Sequence, residues 1–148
     1  MDSSRTALVN LKHVPPAAMA ELQLVYARLG EALEPFRRHC EMRGICCNFA
    51  TAGHMLYVTS LEAATMLASG ETPDYHQSAE GKCPFMRGKQ CGIRDHRALG
   101  CRMYYCDDTY KQDRNDTYER FMKQIREIEK RYGIEHSYDP VTQLRFEE

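Results

Sequence analysis

No stretch of this chain is both apolar and long enough to cross a bilayer, and its start, Met1-Asp2-Ser3-Ser4-Arg5-Thr6-Ala7-Leu8, lacks the apolar run of a secretion signal. A cytoplasmic protein with no membrane partner is the expectation. Charge of one sign is missing too. Twenty Lys and Arg stand against twenty-one Asp and Glu, a net charge of -1, so no overall positive field recruits nucleic acid and no acidic excess marks a disordered tail. The sequence also has no G-x-S-x-G elbow, no phosphate loop, no dinucleotide fingerprint and no Cys-x3-Cys-x2-Cys run. Those absences remove the common hydrolase, nucleotide-binding and independent radical-enzyme readings. There is no internal repeat and no second domain. A length of 148 residues, 43% of them hydrophobic, fits one domain, residues 1–148, that buries its own core.

Cysteine is absent before position 40 and after position 106, yet seven lie between: Cys40, Cys46, Cys47, Cys83, Cys91, Cys101 and Cys106. In a reducing cytosol such thiols stay reduced unless a metal holds them, and an odd count argues against a closed disulfide framework. Scattered buried thiols are the plain alternative, since free cysteine packs well in cores. The crowding, and the glycines or prolines beside several of them, favour metal. Thiolates converging from separate loops suit zinc or an iron–sulfur cluster. Gly44, Gly92 and Gly100 allow tight turns around a compact site, whose backbone amides would donate to sulfur.

The spacing is Cys-x5-Cys-Cys, a long gap, then Cys-x7-Cys-x9-Cys-x4-Cys. No Cys-x2-Cys knuckle occurs, so the zinc-ribbon signature is missing, and the standard ferredoxin runs are missing as well. Spacing therefore supports a metal without choosing it.

Three blocks carry a resemblance: Cys40-Glu-Met-Arg43-Gly-Ile-Cys46-Cys47, Cys83-Pro84-Phe85, and Cys91-Gly-Ile-Arg-Asp-His-Arg97-Ala-Leu-Gly-Cys101-Arg102-Met-Tyr-Tyr-Cys106. Together, over residues 40–106, they resemble the CxxCxxCC zinc- or iron-chelating domain family, and Thr59-x2-Glu62 also looks like the family pattern. A related domain occurs in flagellin lysine methylases, where an iron–sulfur cluster is implicated. The resemblance thus implies all seven cysteines as metal ligands and favours a 4Fe–4S cluster over zinc; a four-thiol cluster leaves three cysteines over, as second-site ligands, a nucleophile or plain buried thiols. One departure stands out: the family's second cysteine falls on Arg43 here. One site is then incomplete or takes another ligand, with His39 and His54 the nearest substitutes, or Arg43 serves as a charge partner for the thiolates.

Neighbouring residues have plainer roles. Arg97 and Arg102 suit salt bridges to Asp95 or Asp107 better than anion binding. Tyr104 and Tyr105 suit shielding of the metal. Asp107-Asp108 suits the end of an element better than a hard-metal ligand pair. Lys123, Arg126, Lys130 and Arg131 interleave with Glu119, Glu127 and Glu129, which makes a solvated helix face rather than an RNA-binding one.

Ala7, Val9 and Leu11 alternate as in a short strand. Pro15-Pro16 opens a helix whose stripe is Met19, Leu22, Val25, Tyr26, Leu29 and Leu33. Beyond Pro35 a continuation over 36–42 would deliver Cys40, followed by a loop to position 53. Residues 56–58 read as extended, and Thr59 with Glu62 forms a capping box for a helix over 61–68. Residues 70–82 read as surface loop, 83–86 and 90–93 as a hairpin, and 95–99 as a short helix stopped by Gly100. A second capping box, Asp116 with Glu119, opens a helix that packs Tyr118, Phe121, Met122, Ile125, Ile128 and Tyr132 and stops at Gly133. The tail from Ile134 is weakly patterned.

The expected fold is mostly α with small irregular or β elements, one compact domain around a cysteine-rich metal site. Three functions fit: a structural or electron-transfer metal protein, a catalytic component of a methylase-like protein modification, and a redox or metal sensor. Whether the chain is an enzyme stays open.

Overall fold

The computed structural model describes residues 7–10, 14–34, 48–49, 55–88, 90–103 and 111–147, with side chains described in all of these except 7–10, 111–114 and 147. The described chain is mostly helical. The longest elements are α1 (Pro16–Leu33) and α5 (Lys111–Arg131), which pack against each other. Pro16 occupies the first turn of α1, where its missing N–H costs nothing, and Ala18, Leu22, Val25, Tyr26, Leu29 and Leu33 are buried as one stripe. Phe121, Met122, Ile125 and Ile128 bury the matching face of α5.

Between them lies α2 (Ser60–Leu67), opened by the expected capping box: the Thr59 side chain accepts from the Glu62 amide while the Glu62 side chain accepts from the Thr59 amide. Residues Leu61 through Met66 are all buried, so α2 is enclosed on every side. Its N-terminus has a second carboxylate. Glu129 of α5, only 1% exposed, accepts from the Leu61 amide at 3.0 Å and from Ser60 Oγ at 3.2 Å, and faces His136 Nδ1 at 2.6 Å. Glu129 thus belongs to the interior and not to the solvated face assigned to it by sequence. Arg131 instead pairs with Glu21 of α1 at 2.6 Å.

Among the described residues the strands form three two-stranded pairs. β1 (Ala7–Asn10) runs parallel to β6 (Leu144–Glu147), with Ala7 opposite Leu144 and Asn10 opposite Glu147. β2 (Tyr57–Thr59) is antiparallel to β5 (Tyr138–Pro140), and β3 (Met86–Arg87) to β4 (Gln90–Cys91). The expected strand at the start and the extended segment before α2 are present, and the hairpin is present over Met86–Arg87 and Gln90–Cys91 alone, with no strand at 83–85 or 92–93.

Four expectations change. The stretch 70–82 contains a short helix, α3 (Tyr75–Ala79), because Asp74 caps it through the amides of His76 and Gln77. Gly100 does not stop a helix. A 3-10 turn spans Arg94–His96, and α4 (Leu99–Met103) runs through Gly100. A Cβ on Gly100 would come within 2.7 Å of Leu56 Cδ1, so the glycine permits close packing. Helix α5 starts at Lys111, which puts Asp116 and Glu119 inside it and not at its cap. The tail after Gly133 is ordered into β5, a 3-10 turn (Val141–Gln143) and β6.

Candidate metal centre

Cys83 begins a tight turn in which the Met86 amide donates to the Cys83 carbonyl at 3.1 Å, placing β3 to pair with β4. The thiol is 4% exposed. Burial pushes it up to about 12, and the neighbouring Cys91 adds to that rise. The backbone amides of Phe85 and Met86, and the Arg87 guanidinium, act in the opposite sense by favouring the thiolate. Groups that favour the charged sulfur are of the kind that support a metal-bound thiolate.

The turn itself is braced from α3 and from the loop before it. Gln77 Nε2 donates to the carbonyls of Cys83 and Met86 at 3.1 and 2.9 Å, and the Asp74 amide donates to the Pro84 carbonyl at 2.8 Å. Arg87 donates to the carbonyls of Pro84, Met86 and Thr72. Cys91 lies opposite Met86 in the hairpin. The next residue, Gly92, donates its amide to the Phe85 carbonyl at 2.9 Å, and a Cβ there would stand 2.6 Å from that oxygen. Only glycine lets the strand after Cys91 approach the Cys83 turn so closely. An isolated β-bridge pairs Asn48, the residue joined to Cys47, with Lys82, the residue joined to Cys83.

Cys101 is placed differently, in the first turn of α4. The amide of Leu99, the first residue of that helix, donates to Glu62 Oε2 at 2.6 Å. Tyr26 Oη donates to the same oxygen at 2.9 Å, and Thr59 N and Oγ1 each donate to Oε1 at 3.2 Å. Burial raises the Glu62 carboxyl above the usual carboxylate range, against the pull of these donors. On the other side of Cys101, the Arg102 guanidinium lies 4.0 Å from the centre of the Tyr26 ring and donates to the carbonyls of Arg97 at 2.8 Å and Asp95 at 3.0 Å. Arg97 in turn donates to the Arg94 carbonyl. Among the described residues both arginines brace backbone carbonyls, and Asp107, one of the two carboxylate partners expected for them, lies outside those residues.

Cys40, Cys46, Cys47 and Cys106 lie outside the described residues, as do Arg43, His39, His54, Tyr104, Tyr105, Asp107 and Asp108. Among the described residues, no three of His, Cys, Asp and Glu gather into a group that holds a metal ion. A complete site from this donor set needs thiols beyond Cys83, Cys91 and Cys101. A cavity of about 660 Å³ lies beside the hairpin, lined by Asp74, Tyr75, His76, Met86 and Arg87 among others, and none of these three cysteines lines it. No helix among the described residues is long and apolar enough to cross a membrane. Sequence reasoning missed Tyr26, which reads as one more apolar position of α1, and Gln77, hidden in a polar stretch. It found Glu62 as a cap and as part of the Thr59-x2-Glu62 pattern, without its bond to Leu99.

Comparison with family models, with curated proteins and with solved structures matches this chain to none of them.

Proposed function

We propose that this chain is a thiolate metal-binding protein. Cys83 and Cys91 form one arm of its site, with the further sulfurs drawn from Cys40, Cys46, Cys47, Cys101 and Cys106. The observation that carries the reading is the Cys83 turn: a buried cysteine beside Cys91 on the paired strand, where the Phe85 and Met86 amides and the Arg87 guanidinium favour the thiolate. A plain buried thiol gains little from such donors, because a neutral sulfur accepts weakly. A thiolate bound to metal gains from each of them. The Asn48–Lys82 bridge supports convergence, since it joins the segments that carry the first and second cysteine blocks.

The resemblance of those blocks to the CxxCxxCC family supports a 4Fe–4S cluster over zinc, in a structural or electron-transfer role. When bound, the cluster would supply one-electron chemistry or simple cross-linking of the loops, and the chain's part is to hold it and shield it. The catalytic reading gains no support from the cavity beside the hairpin, whose lining among the described residues includes no cysteine.

Proton release tests the proposal. With its thiol pushed up to about 12, Cys83 is protonated at neutral pH in the metal-free protein and must give up that proton to bind. Zinc added to reduced, metal-free protein in weak buffer should release protons, and Cys83→Ser should release about one fewer. Zinc uptake with no change in proton release in that variant would remove Cys83 from the site.

A further inference from the structure

We infer that Glu62 is a positioning residue for Cys101, acting through the amide of Leu99. The inference rests on the reading of Cys101 as a metal ligand. A capping box needs one glutamate oxygen, and here Oε1 fills that part by accepting from Thr59 N and Oγ1. Oε2 has no capping duty towards α2. It accepts from Tyr26 of α1 and from Leu99, the first residue of the helix that carries Cys101. One carboxylate thereby joins the start of α2, the middle of α1 and the start of α4.

Apolar packing alone would seat α4, since Leu99 and Met103 are both buried. Packing contacts are non-directional, however, whereas the 2.6 Å bond from Leu99 fixes where the first turn of α4 begins and which way it faces. Arg102 fixes the other side of Cys101 through the Tyr26 ring and the carbonyls of Asp95 and Arg97. The sulfur at 101 thus sits between two anchored neighbours. Burying a carboxylate costs free energy unless every oxygen is satisfied, and each oxygen of Glu62 has two donors. An outer-shell group of this kind typically changes metal affinity by about 10- to 100-fold when it is lost.

Glu62→Gln breaks the arrangement whichever way its amide turns, because the NH2 group then meets two donors. Tyr26→Phe is gentler, removing one donor and keeping the ring under Arg102. The test is limited alkylation of the reduced, metal-free full chain with N-ethylmaleimide, with each cysteine followed by mass spectrometry and zinc affinity measured in parallel. Glu62→Gln should raise the rate at Cys101 about 10-fold or more relative to Cys83, and weaken zinc binding by a similar factor. Tyr26→Phe should raise the Cys101 to Cys83 ratio by about fivefold, the equivalent of one ordinary hydrogen bond.

Equal acceleration at Cys83 and Cys101 would mean general loosening and would overturn the inference, as would an unchanged Cys101. If Glu62→Gln does not fold, the ratio in Tyr26→Phe decides alone. Wild-type protein that takes up neither zinc nor iron would remove the metal reading, and the alkylation ratio would still decide the part played by Glu62.

Discussion

The hairpin that carries Cys83 and Cys91 and the helical turn that carries Cys101 place their sulfurs by opposite means. In the hairpin and the turn before it, the backbone does most of the work over a short span: a turn closed by the Met86 amide on the Cys83 carbonyl, and a glycine that lets the strands close. The Cys101 turn is placed by side chains from distant segments, Glu62 and Tyr26, with Arg102 closing the far side. A backbone-placed cysteine is sensitive to local geometry, and a side-chain-placed one to charge and hydrogen bonding. That contrast yields a ranked set of expectations.

The largest effect belongs to the side-chain network. Glu62→Ala leaves four buried donor groups facing a void, and we expect a loss of about 3 kcal/mol or more in unfolding free energy. Chemical denaturation of the metal-free protein measures it, and a loss below about 1 kcal/mol would mean that solvent reaches these groups.

Next comes a matched pair of glycine substitutions. Gly92→Ala puts a methyl 2.6 Å from the Phe85 backbone oxygen, which cannot move without opening the hairpin, so a cost of about 2 kcal/mol is expected. Gly100→Ala meets only the end of the Leu56 side chain, which can rotate away, and the gain in helix propensity offsets that shift, so about zero net change is expected. Thermal unfolding of both variants, with alkylation of Cys83 as a local readout, tests the pair. Equal costs would erase the distinction drawn between backbone and side-chain neighbours.

The smallest effect is the pH dependence of Glu62. Its carboxyl is raised above the usual carboxylate range by burial, so the folded protein binds its proton more tightly than the unfolded chain does. The stability it contributes is complete at acid pH, below the usual carboxylate range, and is lost as pH rises through the raised folded value. The stability difference between wild type and Glu62→Gln should therefore narrow from acid towards neutral pH. A widening difference would mean that the four donors outweigh burial.

Legibility followed the same division. The helix opened by Pro15-Pro16, the Thr59–Glu62 box and the Cys83–Cys91 hairpin are written in neighbouring residues, and each is present. What escaped depends on distant partners. The strand at Leu144–Glu147 exists because Ala7–Asn10 from the other end of the chain pairs with it. Gly100 reads as a helix stop until Leu56 is seen packed against it. Asp116 reads as a cap because nothing local announces the earlier start of α5 at Lys111. In the candidate site, the clustering of cysteines is plain in the sequence, but the bond from Leu99 to Glu62 is visible only in three dimensions. The described residues place three of the seven cysteines, and Cys40, Cys46, Cys47 and Cys106 lie outside them.

The most direct test of the central claim is metal analysis, with an absorption spectrum, of the full chain purified without oxygen. The account predicts brown protein with about four iron atoms per chain, held by cysteine sulfur. Colourless protein with zinc would keep the thiolate site and replace the cluster, and protein that holds neither metal would contradict the account.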